Sequence, residues 1–367
     1  MTSKFKRRDF FKVGAASSAI LLPNLGFAAV GNNKEKPLDK INQKERTFEV
    51  TLNHTLQEEG KVSKLWLPLP LNSEYQQLKS LITNTGNYDE LIQSDFEIPT
   101  LFATFSEVPA TITTAFTIST QERNTDFSKV NYDENEELTP ELLEYLEPTR
   151  HIQIDGVVKE KAEEITQGIK GDLERAKAIY TWVADNMTRD ESVIGCGVGD
   201  AKALLESGEL YGKCTDISSV FVALCRSVGI PCREVFGIRV GESRFSPAMG
   251  SGKDGVANIT GSQHCRAEFY LKGYGWIPCD PGDVTKVRLA ENLSNDDSKI
   301  IQLREYLFGN WEMCWIGYNW GRDFALKPRP YEHPLNNFGY PYAEVDDNVQ
   351  DYYSPKEFAY DYKSVEI

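Results

Sequence analysis

The most informative segment of the chain comprises residues 210–221 and has the sequence LYGKCTDISSVF. From Ile217 onward, apolar residues recur at steps of three and four, which predicts an amphipathic helix that begins near Cys214. Gly229 and Pro231 follow closely and end this helix. The residues of its apolar face are Ile217, Val220, Phe221, Leu224, Cys225 and Val228.

Cys214, at the start of this helix, is the first candidate functional residue. Backbone N–H groups point outward at a helix N-terminus and the helix dipole favours an anion, so a thiol there ionises more readily. The same N–H groups are a candidate oxyanion site, and Gly212 lets the chain turn and a substrate approach the backbone. Taken alone, a cysteine at this position is more often a small buried core residue. A catalytic assignment therefore needs a base and a group that orients the base.

A second segment, residues 263–281, supplies both partners and has the sequence QHCRAEFYLKGYGWIPCDP. Apolar and polar residues alternate in its first half, which predicts a strand with His264 on the polar face and Cys265 on the apolar face. A turn with glycine and a second strand that ends at Asp280 complete a predicted hairpin. His264 is the candidate base, and Asp280 is the candidate carboxylate that orients it.

The register of this hairpin depends on the length of its loop. With residues 271–273 as the loop, His264 lies opposite Asp280, and Cys265 lies opposite Cys279 on the other face. A two-residue turn would shift the register by one and break both pairs. We prefer the first register as a working hypothesis.

These motifs together resemble those of the bacterial transglutaminase-like superfamily: GKCTD before an apolar helix, GIPCR after it, then HCRAEFYL and GWIPCDP. The resemblance covers residues 172–283 and implies an α+β fold with a papain-like core, in which a catalytic helix packs on an antiparallel β-sheet. It implies that Cys214 is the nucleophile, His264 the base and Asp280 the orienting residue. The sequence departs from the pattern after the histidine, where an aromatic residue is common in the superfamily.

The resemblance also implies the reaction, which is acyl transfer through a Cys214 thioester. Water as the acceptor gives a cysteine peptidase or amidase, whereas an amine gives a protein-glutamine transamidase. We expect hydrolysis, with a protein or peptide of the cell envelope as the candidate substrate. The chemistry needs neither a metal nor another cofactor.

Three further residues are candidates for contact with the reacting groups. Tyr211 and Gln263 are candidate side-chain donors to an oxyanion. Asp216 follows the nucleophile by two residues, and we expect it to cap the helix rather than to line the site. The glycine-rich residues 195–199 lack a GxGxxG pattern, so we interpret them as a loop near the cleft.

The residues before the helical region predict a small antiparallel β domain. Phe48 and Val50 alternate with polar residues, as in a half-buried strand, and further strand-like segments follow. We therefore predict an N-terminal β-rich domain at residues 46–125, a catalytic domain at 138–345 and an acidic, tyrosine-rich segment at 346–367.

The N-terminus resembles an export signal. Residues 6–12, KRRDFFK, resemble a twin-arginine motif and precede a weakly apolar stretch with small residues that suit a signal peptidase. We predict a signal peptide at 1–29, a polar linker at 30–45 and a periplasmic mature protein without a membrane span. The alternative is an ordinary basic N-terminal arm with an amphipathic helix.

Charge and cysteine content exclude several classes of protein. The net charge is −15, and residues 1–29 carry five basic and one acidic side chain, so the mature chain carries −19. Such a chain is not expected to bind nucleic acid. Seven cysteines without a CxxC pair, and four histidines, argue against a structural zinc site. In an oxidising periplasm, Cys265 and Cys279 are candidates for a disulfide as hairpin partners, with two buried thiols as the alternative.

The C-terminal region is rich in aromatic residues, since residues 300–367 hold 16 of the 41 in the chain. This density predicts buried area, with a carbohydrate-stacking surface as the alternative for Trp311, Trp315 and Trp320. The main rival to an enzyme is a non-catalytic cell-envelope binding module with a vestigial triad. Because Cys214, His264 and Asp280 are all intact, the enzyme is favoured; the sequence does not indicate an oligomeric state.

Overall fold

Strands dominate both ends of the described part of the chain, which begins at residue 45, and the helices lie mostly between them. The computed structural model describes residues 45–56, 62–94, 98–130, 132–133, 135–331, 333–355 and 358–367. The predicted signal peptide, and all but the last residue of the predicted linker, fall on residues 1–44 and lie outside the described residues.

The secondary-structure elements are numbered in chain order. The helices are α1 Pro140–Glu144, α2 Val157–Thr166, α3 Asp172–Asn186, α4 Ala201–Ser207, α5 Cys214–Ser227, α6 Pro281–Ala290 and α7 Ser298–Leu307. The strands are β1 Arg46–Leu56, β2 Ser63–Pro68, β3 Gln76–Leu78, β4 Thr83–Gly86, β5 Glu90–Ser94, β6 Thr100–Phe105, β7 Ala110–Thr120, β8 Arg123–Asn124, β9 Thr188–Arg189, β10 Tyr211–Gly212, β11 Cys232–Arg239, β12 Val256–Asn258, β13 Gln263–Leu271, β14 Gly275–Cys279, β15 Asn310–Trp311, β16 Trp315–Asn319, β17 Arg322–Phe324, β18 Leu335–Asn337, β19 Tyr342–Val345, β20 Asn348–Val349 and β21 Ala359–Glu366. Within the described residues, no helix is long and apolar enough to cross a bilayer.

A four-stranded antiparallel sheet, in the order β14-β13-β11-β16, supports the helical part of the molecule. Helix α5 packs across β13 and β11, because the apolar face expected from its sequence period is buried there. Ile217 and Phe221 on the helix and Ala267 and Phe269 on β13 belong to one core cluster. The predicted α+β class, with the helix that begins at Cys214 packed on an antiparallel sheet, is confirmed.

Two further antiparallel sheets share a second apolar core. One sheet has the order β12-β21-β1-β7-β3, with β4 also paired to β7, and the other has the order β20-β19-β2-β6-β5. The predicted alternation of β1 is present, since Phe48 and Val50 are buried in this core while Glu49 is exposed. Strand β21 pairs with β1 along its length, so segment 346–367 joins the same sheet as segment 46–125. The proposed domain boundaries themselves remain a prediction.

Two tryptophans of the C-terminal region, Trp311 and Trp315, are buried in one cluster with Val235 of the four-stranded sheet. Trp311 is 2% exposed and Trp315 is 3% exposed, and their ring centroids lie 5.3 Å apart. The guanidinium of Arg266 lies 4.7 Å from the centroid of the Trp315 ring, and that of Arg123 lies 4.7 Å from Trp311. Trp320 is partly buried against the same cluster. The carbohydrate-stacking alternative is wrong for Trp311 and Trp315, because protein groups cover their faces.

Candidate active site

Three separate elements bring Cys214, His264 and Asp280 together. Cys214 is the first residue of α5, His264 lies on β13, and Asp280 is the N-cap of α6. His264 Nε2 lies 2.8 Å from Asp280 Oδ2. Each of the three residues is at most 3% exposed. Cys214 and His264 line the same cleft.

Asp280 is held from two directions, which fixes the orientation of His264. Its Oδ1 accepts a hydrogen bond of 2.9 Å from the backbone N–H of Asp283, as expected of a helix cap. Its Oδ2 contacts Nε2 of the imidazole, so Nδ1 is the ring nitrogen left for Cys214. A carboxylate in this position selects the tautomer and stabilises the imidazolium.

The hairpin that carries His264 forms, but the predicted register is wrong by two residues. Residues 272–274 make the turn, and the pairing places Ala267 opposite Cys279. Gly275 closes the turn with a φ of +114°, a conformation that favours glycine. Asp280 is therefore diagonal to His264 and not opposite it. Because the shift is even, both side chains stay on one face and can still meet.

The predicted disulfide between Cys265 and Cys279 is also wrong. All seven cysteines fall within the described residues, and each is a free, buried thiol. The observed register moves Cys279 opposite Ala267. Cys265 Sγ instead lies 3.6 Å from the hydroxyl of Thr215 on α5. The alternative of two buried thiols describes this hairpin.

Two thiols surround the sulfur of Cys214. Cys196 and Cys265 form a small buried cluster with it, a contact that nothing in their sequence spacing indicates. Hydrogen bonds from Cys196 and Cys265, together with the hydrogen bond and charge of His264, lower the pKa of Cys214 well below its ordinary value, although burial opposes this. The contact with Cys214 and burial raise the pKa of Cys196, and burial and the same contact raise the pKa of Cys265. Of the three thiols, Cys214 is therefore the one that ionises.

A second carboxylate, Asp283, adds to the field around His264. Its Oδ2 lies 3.6 Å from His264 Nε2, and Arg239 donates to its two oxygens at 2.9 and 2.5 Å. Burial and Arg239 would lower the pKa of His264, but Asp283 and Asp280 outweigh them and raise it. A raised imidazole pKa beside a lowered thiol pKa favours a thiolate–imidazolium pair. Sequence reasoning missed both Asp283 and Arg239. The spacing from Asp280 to Asp283 indicates only the start of a helix.

The same acidic residues have a spacing that a metal ion could use. Ligand atoms of His264, Asp280 and Asp283 lie within 4.8 Å of one another. Arg239 already occupies both oxygens of Asp283, and its positive charge opposes a cation at that point. The imidazole nitrogen nearest to the carboxylates is also taken by Asp280. These contacts fit a hydrogen-bonded triad better than a metal centre.

Asp216 caps helix α5, as expected. Its Oδ2 accepts a hydrogen bond of 3.0 Å from the backbone of Lys213, and its Oδ1 accepts one of 2.8 Å from Gly199. A Cβ atom at Gly212 would lie 2.4 Å from the Asp216 side chain, and one at Gly197 only 1.9 Å. Gly212 is therefore needed as space for this cap. The interpretation of residues 195–199 as a loop at the cleft holds, since Gly195 and Cys196 line it.

The candidate oxyanion donors lie in different places. Gln263 lines the cleft, and its Nε2 donates to the carbonyl of Thr260 at 3.1 Å. Tyr211 lies outside the set of cleft residues, and its hydroxyl is 3.0 Å from the Glu209 carboxylate. The backbone N–H of Thr215 donates to the carbonyl of Cys196 at 2.9 Å. The N–H of Cys214 is the first of its helix, where no intrahelical acceptor exists, so it is the best placed backbone donor.

The cleft has a volume of about 290 Å³ and a mainly polar lining. Besides Cys214 and His264, its charged residues are Arg189, Glu191, Lys213, Arg239 and Lys286. None of these five was singled out by the sequence analysis, because they come from four separate parts of the chain. Their common position becomes apparent only in the folded protein.

Comparison with known proteins relates the chain to others by sequence. The family model of the transglutaminase-like superfamily matches residues 159–281, a range that includes Cys214, His264 and Asp280. An uncharacterized protein of Haemophilus influenzae is 45% identical over 320 residues, which is 83% of this chain and 86% of that protein.

Solved structures provide a comparison of the fold. A candidate cysteine protease from Cytophaga hutchinsonii is similar with a TM-score of 0.50 at 18% identity, over 65% of this chain and 78% of that chain. The periplasmic domain of TgpA from Pseudomonas aeruginosa is similar with a TM-score of 0.35 at 13% identity, over 71% and 93% of the respective chains. At this level of identity, the Cytophaga structure supports the fold alone.

Proposed function

We propose that the chain, whose residues 159–281 match the transglutaminase-like superfamily, is a thiol-dependent acyl-transfer enzyme that cleaves an amide or peptide bond. One observation carries the proposal. Cys214 begins a helix beside His264, which contacts Asp280 at 2.8 Å, and both Cys214 and His264 open onto one cleft. A nucleophile, a base and a group that orients the base are the parts that this chemistry needs.

The reaction follows from these parts. The Cys214 thiolate attacks the amide carbonyl, and the oxygen that becomes negative faces the N-terminus of α5. His264 then donates its proton to the leaving amine, and the C–N bond breaks to leave a thioester on Cys214. A water molecule gives a proton to His264 and adds to the thioester, which releases the acid and restores the thiolate.

Water is the favoured acyl acceptor. The lining of the cleft includes charged side chains and the hydroxyls of Ser251 and Ser262, a surface that solvent readily wets. A transamidase must keep water from its thioester, and a polar cleft is a poor barrier. We therefore favour a peptidase or amidase acting on a protein or peptide substrate.

We also propose that the enzyme works in the periplasm after export through the twin-arginine pathway. The motif at residues 6–12 supports this proposal. Replacing Arg7 and Arg8 together by lysine should leave the full-length chain in the cytoplasmic fraction. Processing and periplasmic recovery of that variant at the wild-type level would contradict the proposal.

The proposed chemistry is tested first with iodoacetamide on the mature protein, from about pH 4 to about pH 9. Peptide mass spectrometry locates the alkylated residue, with Cys214→Ala and His264→Ala as controls. We expect rapid alkylation confined to Cys214, persistent below pH 7 and lost in His264→Ala. Alkylation of Cys214 at the rate of an ordinary exposed thiol, in a protein whose cleft admits the reagent, would favour the binding-module alternative.

A further inference from the structure

The cleft that contains Cys214 is positively charged, although the whole chain carries a net charge of −15. Among the residues that line it, Glu191 is the one carboxylate. The cationic side chains of the lining are Arg189, Lys213, Arg239 and Lys286. A cleft lined by one sign of charge concentrates ligands of the opposite sign.

Existing ion pairs neutralise only part of this charge. Arg239 is matched by Asp283, which it contacts through both oxygens. Glu191 is shared by two cations, since its carboxylate lies 2.5 Å from Arg189 Nε and 3.5 Å from Lys213 Nζ. One carboxylate thus faces two positive charges at the mouth of the cleft.

Among the cations that line the cleft, Lys286 is the one outside these ion pairs. Among the described residues it takes part in no ion pair, and the nearby Asp283 is already engaged by Arg239. Burial, with repulsion from Arg239 and Arg189, lowers the pKa of Lys286 to about 8. The ammonium is still mostly protonated at neutral pH, and a bound carboxylate would offset its loss of solvation.

The position of Lys286 on α6 directs it toward the nucleophile. Helix α6 begins against α5, because a Cβ atom at Gly282 would lie only 3.5 Å from the Cα of Cys214. Lys286 follows Gly282 by four residues and therefore lies on the same face of the helix. Both Lys286 and Cys214 line the cleft.

We propose that Lys286, with Arg189 beside it, forms a carboxylate-binding subsite, so that the enzyme selects acidic peptides with a carboxylate next to the scissile amide. This inference rests on the proposed function, since it names the substrate class of that same cleft. The subsite binds the anion without covalent change. Two sources share the required chemistry: an Asp or Glu side chain, and a free terminal carboxylate.

The subsite is tested with two small electrophiles that differ in charge. Iodoacetate carries a carboxylate and iodoacetamide is neutral, and both alkylate a thiolate. For each protein, the ratio of the two second-order rates at Cys214 is divided by the same ratio for glutathione. Any change in thiolate content affects both reagents alike and cancels from the ratio.

We expect wild-type protein to favour iodoacetate by roughly fivefold over the reference, as for a partly buried charge pair. Lys286→Met should remove most of this preference, and Lys286→Glu should invert it. Lys159→Met serves as a matched control, because Lys159 lies on α2 with its side chain 58% exposed and outside the cleft. The preference should also fall as salt rises.

The outcomes separate failure of the subsite from failure of the enzyme. Slow alkylation of Cys214 by both reagents would contradict the proposed function. Fast alkylation by both, without a preference for iodoacetate, would overturn the subsite and leave the enzyme in place. A preference that survives in Lys286→Met would likewise overturn the role of Lys286.

Peptide binding distinguishes the two sources of the carboxylate. Fluorescent peptides with Glu or Gln in the middle, each with a free or amidated C-terminus, are titrated against Cys214→Ala and against Cys214→Ala with Lys286→Met. Tighter binding of the Glu peptides, lost with Lys286, identifies a side-chain carboxylate; dependence on the free C-terminus identifies a terminal one. Equal binding of all four peptides would overturn the proposal.

Discussion

Strands β13 and β1 have the same alternation of polar and apolar residues, yet their polar faces lie in opposite surroundings. On β1 the polar face reaches solvent, and Glu49 is exposed. On β13 the polar face is interior, and His264, Arg266 and Glu268 are 3%, 0% and 1% exposed. An alternating pattern therefore locates the apolar face of a strand but does not show where the other face lies.

The difference arises from the C-terminal aromatic region, which covers β13 and its neighbours. Arg266 lies over the ring of Trp315, and the indole N–H of Trp315 donates to the carbonyl of His264 at 2.9 Å. Trp311 donates in the same way to the carbonyl of Cys279 at 3.1 Å. Charges under this cover lose the screening of water, so each interacts more strongly with its partners and costs more when left alone.

The largest expected effect is the loss of Asp280, the carboxylate that holds His264 under this cover. In Asp280→Asn the imidazolium loses its nearest counter-charge, so its pKa falls and the Cys214 thiolate becomes scarcer. We expect iodoacetamide alkylation of Cys214 at about pH 6 to fall roughly 10- to 1,000-fold. Turnover should fall by about 10⁴-fold, as for amide replacement in a Ser-His-Asp triad.

Glu49→Gln is the counterpart on the exposed face of β1 and should leave the alkylation rate of Cys214 unchanged. Circular dichroism of both variants checks that they fold. Alkylation of folded Asp280→Asn at the wild-type rate would show that the carboxylate does not act on the thiol through His264.

The next largest effect concerns stability and uses Glu268. This buried carboxylate accepts hydrogen bonds from Arg123 and from Arg233, the latter at 2.6 Å. Glu268→Gln leaves two guanidinium groups short of a counter-charge, which should lower the free energy of unfolding by about 3–5 kcal/mol. Glu49→Gln in the exposed position should be almost neutral. Urea denaturation of both variants measures the contrast.

The difference in the free energy of unfolding between wild type and Glu268→Gln depends on pH in a definite direction. Burial would raise the pKa of Glu268, but Arg233 and Arg123 outweigh it and lower the pKa below its ordinary value of 4.5. The stabilisation by a carboxylate with a lowered pKa is present above that ordinary value and is lost as the pH falls further. The difference between wild type and Glu268→Gln should therefore persist from neutral pH to about 4.5 and then shrink. A difference that grows on acidification would contradict this account.

A smaller effect is expected from Cys196, a donor to the Cys214 thiolate. Cys196→Ala removes one of the hydrogen bonds that lower the pKa of Cys214, so the midpoint of its alkylation should move to higher pH. We expect a rate roughly tenfold lower at pH 6, which corresponds to about 1.5 kcal/mol, the lower end of the range for a hydrogen bond to a charged group. Cys314→Ala removes a buried thiol outside this cluster and is the control. Equal midpoints for the two variants would exclude the role of Cys196.

The sequence predicts the local features of the site better than its long-range contacts. The start of α5 at Cys214 and the capping role of Asp216 follow from helix period and capping rules, which act within a few residues. The contact between His264 and Asp280 depends on strand parity, which survived a register error of two. Any even shift of the register keeps His264 and Asp280 on the same face of the hairpin. The proposed disulfide required Cys265 and Cys279 to lie directly opposite each other, so that prediction is wrong.

The unpredicted parts are those that join distant segments. Cys196 reaches Cys214 because a loop folds over α5, and Lys286 reaches the cleft because α6 begins at Gly282 beside the nucleophile. Arg239 contacts Asp283 because β11 packs near α6. No periodicity within a segment specifies such contacts, since they depend on the register and packing of several elements at once.

The smallest expected effect tests the cover itself. Trp315→Phe keeps an aromatic face under Arg266 but removes the N–H that donates to the carbonyl of His264. We expect the free energy of unfolding to fall by about 1 kcal/mol, the usual contribution of one hydrogen bond, and the alkylation rate of Cys214 to change by no more than about threefold.

Trp320→Phe is the control, because Trp320 packs on the same cluster from a partly buried position. If Trp315→Phe instead slows alkylation as far as Asp280→Asn, the cover orients His264 directly and does more than exclude water. An effect no larger than that of Trp320→Phe would mean that the indole N–H of Trp315 contributes nothing to stability. Packing of the aromatic ring alone would then shield the polar face of β13.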